Sequence, residues 1–348
     1  MTPPAAGGEG AESERERVLA LLRRHGWNAN SFQALEPGIS YFFEGDDACV
    51  AYVETAGAWV AAGAPIAPEA RLAEVARRFQ AEALRQGKRP RYFAVEERFL
   101  ERTDLARTLV GAQPVWDPLE WEEILRGSRG LREQLRRARA KGVEVRLLAS
   151  AELQDTARET RRGIDALIQR WLRSRKMAPL AFLVAVHPFS FSEERRYFVA
   201  ERDGAVVGFL AVVPVFARGG WFLEDLLRDP RAPNGTTELL VDAAMKHLAQ
   251  EGIRYATLGL APLAGVGGWL GSAGRLGSGL YDFRGLHRFK ARLRPQGWDP
   301  IYLAWPAKEK MLRPLADSLA AFAKGGLLRF GIETFVHARR RARSRQGL

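Results

Sequence analysis

Two separate parts of the chain carry the same order of predicted elements, and this order restricts the fold more than any other feature. In each part, three short runs with β-strand character precede an apolar-periodic helix and a fourth strand. The first part is predicted to contain strands at 40–43, 48–53 and 59–61, a helix at 69–86 and a strand at 92–95. The second is predicted to contain strands at 196–201, 206–215 and 221–226, a helix at 236–251 and a strand at 255–260. The order predicts an α/β (α+β) fold with a duplicated domain and mixed sheets flanked by helices, without a clear sequence repeat.

The length of the chain supports two domains. Its 348 residues exceed what one ordinary hydrophobic core covers. We predict the first domain at 13–126 and the second, which would hold the active site, at 127–305. A disordered N-terminus is predicted at 1–12 and a basic helical tail at 306–348. Within the second domain, one long helix is expected from about Ala151 to Arg175.

The charge balance favours a polyanionic partner. The formal net charge is +12 and the sequence pI is about 10.2. Such a balance is typical of proteins that bind nucleic acid or an anionic membrane surface. The alternative is a chain that uses arginine as its general surface cation, without any polyanion to bind.

Several classes of protein are disfavoured by what the chain lacks. Cys49 is the single cysteine, which excludes a disulfide within the chain and a cysteine-based zinc site. The five histidines have no metal-ligand spacing, so no metal site is expected. The sequence shows no signal peptide and no run near the roughly 18 apolar residues of a spanning helix. We therefore expect a cytoplasmic location, with peripheral attachment to the inner membrane face as the alternative.

The segment from Glu224 to Leu240 is the strongest candidate for a site, because it combines charged groups, a turn and a helix start. Asp225 lies three residues before Arg228 at the end of a predicted strand. A carboxylate there can accept a proton from a hydroxyl nucleophile or hold an ammonium group, and an arginine binds phosphate or carboxylate bidentately. The alternative is a structural ion pair between the two side chains.

The turn that follows offers a second type of contact. Asn234 and Gly235 precede a helix whose first N–H groups can bind an anion, although a plain β-turn explains the same residues. Glu224 and Glu238 are weaker candidates. Glu238 falls in the first helical turn, where the helix dipole favours a carboxylate in any case.

Three basic regions are candidates for contact with a polyanion. In the first, aromatic side chains alternate with Arg284, His287, Arg288, Lys290, Arg292 and Arg294. Interleaved basic and aromatic residues suit a nucleic-acid end or a lipid headgroup. The second region is a predicted helix at 131–141, and the third is the run of five arginines at 339–345. The alternative explanation of each region is a solvated face or helix end.

Several segments stand in the same order as in one known family. They are Gly38–Phe43, Ala58–Pro65, Glu224–Gly235, Leu258–Leu263, Tyr281–Lys290 and Trp298–Leu303. On these residues the chain resembles the C-terminal catalytic domain of phosphatidylglycerol lysyltransferases and alanyltransferases, the multiple-peptide-resistance family. The resemblance covers about 30–305. It departs in three respects: family members usually carry membrane-spanning helices ahead of this domain, Leu227 replaces a methionine, and Glu238 replaces an aspartate.

The resemblance implies a fold and a reaction. The fold would be two tandem acetyltransferase-like (GNAT) domains, and the reaction would move an aminoacyl group from tRNA to the glycerol hydroxyl of an anionic lipid. The family's motif residues fall on Asp225, Arg228 and Lys290, which we predict to be catalytic. We predict that seven further residues bind substrate: Glu224, Asn234, Gly235, Glu238, Arg284, Arg288 and Arg292.

The same resemblance sets the expected partners. Aminoacyl-tRNA would be the donor substrate, no cofactor would be needed, and the acceptor would be an anionic phospholipid such as phosphatidylglycerol. A separate flippase is a further candidate partner. Two alternatives stay open: an acyl-CoA-dependent N-acetyltransferase, which normally has a glycine-rich pyrophosphate loop where this chain has Pro233–Gly235, and a non-catalytic membrane- or RNA-binding relative. The sequence leaves the transferred amino acid open.

Overall fold

The structure is a computed structural model that describes residues 8–174, 182, 186–262, 283–307 and 309–322. Twelve described strands form one mixed sheet. They are β1 (Ser40–Glu44), β2 (Ala48–Glu54), β3 (Ala58–Ala62), β4 (Arg89–Val95), β5 (Leu105–Trp116), β6 (Glu144–Leu148), β7 (Arg196–Arg202), β8 (Ala205–Val215), β9 (Gly220–Arg228), β10 (Ala256–Thr257), β11 (Ala261–Pro262) and β12 (Gly297–Pro306). Their order across the sheet is β1-β2-β3-β4-β12-β5-β10-β9-β8-β7-β6, and β11 pairs with β5.

Helices cover this sheet. The described α-helices are α1 (Gly8–His25), α2 (Leu72–Arg85), α3 (Glu97–Leu100), α4 (Trp121–Gly127), α5 (Arg129–Ala140), α6 (Ser150–Gln154), α7 (Glu159–Ser174), α8 (Thr236–Gln250), α9 (Phe283–Arg292) and α10 (Leu312–Phe322). The prediction of a mixed sheet flanked by helices is therefore confirmed. No described helix combines the length and the apolar character that crossing a membrane requires.

The predicted duplication is visible in the strand pairing. In the first half, β1, β2 and β3 pair antiparallel, and α2 then connects β3 to the parallel strand β4. In the second half, β6 to β9 pair antiparallel, and α8 connects β9 to the parallel strand β10. Each half thus contains one helical crossover between neighbouring parallel strands.

The two halves are joined by strands that the sequence analysis missed. β12 lies between β4 and β5, and β5 also pairs with β10, so the sheet continues from one half into the other. Gly111 and Pro114 interrupt the strand pattern of β5, which explains why it escaped prediction. Gly111 is needed there, because a Cβ would lie 2.3 Å from the carbonyl oxygen of Ala261 on β11. The predicted domain boundaries stay predictions.

Four predicted elements differ in their limits. Helix α1 already includes residues 8–12, where disorder was expected, and acidic residues in its first turns favour that earlier start. The expected long helix after Ala151 is two helices, since the Asp155 carboxylate accepts a hydrogen bond from the Ala157 amide and turns the chain. The strand predicted at 255–260 is paired only at Ala256–Thr257. The tail helix is described to Phe322, and the rest of the predicted tail lies outside the described residues, as do residues 1–7.

The two faces of the second half have different cores. On one face, α8 packs with α5 against Leu223 and, at the edge, Leu226 of β9. On the other face, α7 packs against Leu227, and Phe222 belongs to the core beneath α1. Strand β9 is therefore covered on both sides. The face of the sheet to which each polar side chain of β9 points determines which helices and loops it contacts.

Candidate functional site

The parallel pair β9–β10 opens after only two residue pairs. Ala256 lies opposite Trp221 and Thr257 opposite Phe222. In continued register, 258–260 would pair with 223–225, but the described strand ends there. The side chain of Lys290, on α9, occupies the opening on one side, because its Nζ donates hydrogen bonds to the carbonyl oxygens of Leu258, Gly259 and Leu260 at 2.8, 2.8 and 2.9 Å.

Lys290 is almost completely buried, with 4% of its surface exposed. Burial lowers the pKa of its amine to about 7. Three carbonyl acceptors, however, match the three N–H donors of the protonated amine. The Lys290 amine can therefore stabilise the backbone of residues 258–260, where the chain leaves β9. In the continued register of β9 and β10, residue 260 would lie opposite Asp225.

On the other side of the opening, β9 carries a β-bulge. Val212 of β8 lies opposite Leu223, whereas Ala211 lies opposite Asp225, so Glu224 is the extra residue. A bulge re-aims the side chains beside it. As a result, two consecutive carboxylates, Glu224 and Asp225, both interact with Arg195 on the α7 face.

Arg195 gathers three carboxylates into what we call the carboxylate cluster: Glu36, Glu224 and Asp225. The Arg195 side chain is fully buried, and its guanidinium lies 2.6 Å from Glu224 Oε2 and 3.0 Å from Glu36 Oε1. Its Nε donates to the carbonyl oxygen of Ser190 at 2.8 Å. Within the described residues, the second oxygen of Glu36, Oε2, is buried without a hydrogen-bond partner.

The carboxylate cluster holds more acids than its single arginine can neutralise. Burial, followed by the charge of Glu224, raises the pKa of Asp225 well above its usual range, and Arg195 only partly opposes this. The same two causes raise the pKa of Glu36 to about 7. A buried group of this kind keeps a proton at neutral pH or takes up a further cation. It is therefore suited to an ammonium group, whose arrival would lower the pKa of Asp225 and free it to act as a base.

The remaining predicted residues meet at the start of α8. By strand alternation, Arg228 points to the face of Leu226, opposite to that of Asp225, and its Nη1 lies 3.4 Å from Asn234 Oδ1. The two predicted catalytic side chains Asp225 and Arg228 thus form no ion pair in the described structure. Gly235 has a φ of +94°, and a Cβ there would lie 2.1 Å from the Gln134 carbonyl oxygen, so α8 begins in direct contact with α5.

Two further predicted residues meet across α8 and α9. Glu238 is buried in the first turn of α8, and its Oε1 lies 4.0 Å from Arg292 Nη2. Arg288 is exposed on α9, and the side chain of Arg284 lies outside the described residues. The structure therefore places eight of the ten predicted residues in three groups: Glu224 with Asp225, Lys290 across the opening, and Arg228 with Asn234, Gly235, Glu238 and Arg292 at the start of α8.

Sequence reasoning missed Glu36 and the arginine that joins the carboxylate cluster. Glu36 precedes Pro37 and Gly38 in the predicted turn, and Arg195 lies one residue before β7. They lie 159 residues apart and meet only through the fold. Within the described ranges, no group of three or more His, Cys, Asp or Glu side chains is arranged to hold a metal ion.

Known proteins share this arrangement of strands. The structure superposes on the C-terminal domain of a protein from Agrobacterium fabrum described as a lysylphosphatidylglycerol synthetase, with a TM-score of 0.77, 22% identity, and coverage of 91% of this chain and 99% of that one. It also superposes on L-PGS from Bacillus licheniformis, with a TM-score of 0.74, 19% identity, and coverage of 92% and 97%. At these identities the likeness establishes the fold.

Sequence comparison identifies the family. The chain is 26% identical over 258 residues to the lysylphosphatidylglycerol biosynthesis bifunctional protein LysX of Nocardia farcinica, which covers 70% of this chain and 22% of that protein. The chain thus spans about a fifth of the length of this curated relative. The family model described as phosphatidylglycerol lysyltransferase, C-terminal, matches residues 19–305, and the chain therefore belongs to this family.

Proposed function

We propose that this chain transfers an aminoacyl group from tRNA to a hydroxyl of an anionic lipid such as phosphatidylglycerol. The observation that carries the proposal is the buried carboxylate cluster beside the opening between β9 and β10. Family membership and the names of the relatives support the reaction class. The cluster supports an aminoacyl ester such as aminoacyl-tRNA as the donor, because this ester carries an α-ammonium group that buried carboxylates can bind.

The reaction is an ester exchange that needs no cofactor. The lipid hydroxyl attacks the carbonyl carbon of the aminoacyl ester, and its proton passes to a carboxylate. The bond from that carbon to the tRNA 3′-terminal oxygen then breaks, and the departing oxygen takes the proton. Most of the rate enhancement comes from holding the two substrates in the correct geometry. A positioned carboxylate contributes further as general base and acid.

Each group of residues has a role in this proposal. The carboxylate cluster binds the α-ammonium group, and the bound cation lowers the pKa of Asp225 so that it can accept the hydroxyl proton. Arg228 lies beside Asn234 before the start of α8, and Arg292, the last residue of α9, lies beside Glu238 in the first turn of α8. The two arginines and the first N–H groups of α8 bind a phosphate of the tRNA end or of the lipid headgroup. Lys290 holds the opening in shape.

The test is a transfer assay with the purified protein. Lysyl-tRNA and alanyl-tRNA, each labelled in the amino acid, are incubated with phosphatidylglycerol vesicles, with phosphatidylcholine vesicles as control. Label in the phosphatidylglycerol fraction, abolished by ribonuclease before the reaction, is the expected result and identifies the amino acid. Label that stays on tRNA while acetyl-CoA is consumed in a parallel assay would replace the proposal with an acetyltransferase.

A further inference from the structure

A second polar feature lies outside the proposed active site, on helix α5. Residues 126–141 contain seven arginines and lysines but only one acid, Glu133. The apolar side of α5 is buried, with Leu131, Leu135 and Ala138 at 4% exposure or less. Its cations consequently line the opposite, solvent-facing side.

These cations border a concave surface, not a flat one. A cleft of about 510 Å³ between α4, α5 and α8 is lined by three apolar residues, one acid and five cations, namely Leu125, Leu135, Ala140, Glu122, Arg126, Arg132, Arg136, Arg139 and Lys246. We call this cleft the α5 groove. A concave surface of one dominant charge concentrates its field on whatever lies within it.

The acids near the groove pair with only part of it. Glu133 pairs with Arg136 at 2.9 Å, and the buried Asp242 pairs with Arg139 at 2.8 Å and Lys246 at 3.4 Å. Further ion pairs join Glu122 to Lys246 and Glu133 to Arg137. In the part of the chain that the structure describes, no carboxylate lies within ion-pair distance of Arg126, Arg129 or Arg132. The groove therefore retains positive charge.

The groove also lies beside the proposed active site. Gly235, at the start of α8, packs on Gln134 of α5, whereas further along α8 the buried Asp242 pairs with Arg139 of the groove and Lys246 lines the groove. At 1.5 Å per residue, seven to eleven residues of helix correspond to about 10–17 Å. A nucleic acid that ran along α8 from its start would place its preceding phosphates at the groove.

We propose that the α5 groove binds the phosphodiester backbone of the tRNA that donates the aminoacyl group. This rests on the proposed function. Arginines on successive turns contact phosphates and position the nucleic acid without reading its sequence. A membrane surface fits the groove less well, because helices that lie on membranes expose an apolar face. Of the large hydrophobic side chains exposed in the described structure, none is on α5.

The test compares two triple variants of equal charge change. Arg126→Gln, Arg132→Gln and Arg136→Gln are combined in the groove variant, and Arg77→Gln, Arg78→Gln and Arg85→Gln, all exposed on α2, form the control. Binding of uncharged bacterial tRNA is measured as a function of salt, so that the result does not depend on transfer. The groove variant should bind at least about tenfold more weakly, with a salt slope reduced by about 0.7–0.9 for each phosphate that the protein no longer neutralises.

Other outcomes overturn the proposal. Equal tRNA affinity of the two triple variants would do so, and so would a wild-type protein that does not bind tRNA. If the groove variant lost binding to phosphatidylglycerol vesicles but still bound tRNA, the groove would be assigned to the membrane instead. Arg126→Glu, which changes one exposed side chain, repeats the comparison if the triple variant unfolds. A wild type that binds tRNA through the groove but transfers nothing would contradict the proposed function alone.

Discussion

The two halves of the molecule use the same crossover, but only one of them leaves it open. In the first half, β3 and β4 pair over five residues, from Ala58 opposite Arg89 to Ala62 opposite Phe93. In the second half, β9 and β10 pair over two. The candidate site therefore differs from its counterpart in the first half not in topology but in the separation of the strands, and charged groups lie where they separate.

The side chains beside these two strand pairs also differ; we call β3–β4 the closed pair and β9–β10 the open pair. Beside the closed pair, the ring of Phe79 on α2 lies 5.5–5.7 Å from those of Tyr52, Trp59 and Tyr92. Beside the open pair lie the carboxylate cluster and Lys290. Aromatic packing stabilises the first half through burial, and its fully buried Arg91 is paired with Glu309 and Asp317, whereas the second half holds buried acids that its one buried arginine does not neutralise. The four predictions below test this division of roles.

The largest effect is expected for Asp225→Asn. Loss of the general base should lower the transfer rate by about 10²–10⁴-fold. The free energy of unfolding should stay the same or rise, because burial and Glu224 disfavour a charged carboxylate at this position in the folded protein. Rates with aminoacyl-tRNA and urea unfolding measure the two quantities. Glu96→Gln is the matched control, since Glu96 is equally buried at 8% but follows the closed pair. An Asp225→Asn variant with wild-type rates would refute the role of Asp225.

Phe79→Ala should have the reverse profile. Phe79 is fully buried, so its truncation should lower the free energy of unfolding by about 3–5 kcal/mol. The transfer rate per folded molecule should not change, because the core that contains Phe79 is separate from the one that contains Leu35, next to Glu36, which is the member of the carboxylate cluster that the first half supplies. Denaturant unfolding and assays at low temperature on the folded fraction measure both. A fall in that rate would show that the closed half also shapes the active site.

Lys290→Met tests what keeps the strands apart. The variant fills the same space but leaves three carbonyl oxygens without donors, which should cost about 1–3 kcal/mol of stability and reduce transfer. Lys88→Met is the control in the first half. Lys88 also donates to two carbonyl oxygens, those of Thr55 and Ala56, but water reaches it, so its loss should cost less. Equal effects of the two substitutions would argue against a special role for Lys290.

The smallest effect is expected in the pH dependence of stability. Because burial and Glu224 raise the pKa of Glu36 from 4.5 to about 7, the folded state retains a proton that the unfolded state releases. Glu36 should therefore lower the stability of the wild type by about 1–3 kcal/mol as the pH rises from 4.5 to about 7. Glu36→Gln should be more stable relative to the wild type at pH 7 than at pH 4.5 by about this amount. Urea unfolding at several pH values compares the two proteins, and parallel curves would contradict the assignment.

Local signals were enough to predict most elements of the second half. The Asp203-Gly204 turn between two apolar runs gave the β7–β8 hairpin, and the periodic residues after Gly235 gave α8. The segments that stand in the same order as in the family indicated the family, and the family motifs indicated Asp225 and Lys290 as candidate site residues. The same signals failed for β5, whose Gly111 and Pro114 are explained only by the strands that pack beside them.

The sequence by itself determined the alternation of strands and helices, the family and the basic character of α5, because each of these depends on residues that are close together in the sequence. Only the tertiary structure decided that Glu36 and Arg195 join Asp225, that Arg228 points to the other face, and that Lys290 holds the backbone level with Asp225. These contacts depend on one bulge and on the register of β9 and β10. Strand register is set by packing on both faces of a sheet, which local sequence does not specify.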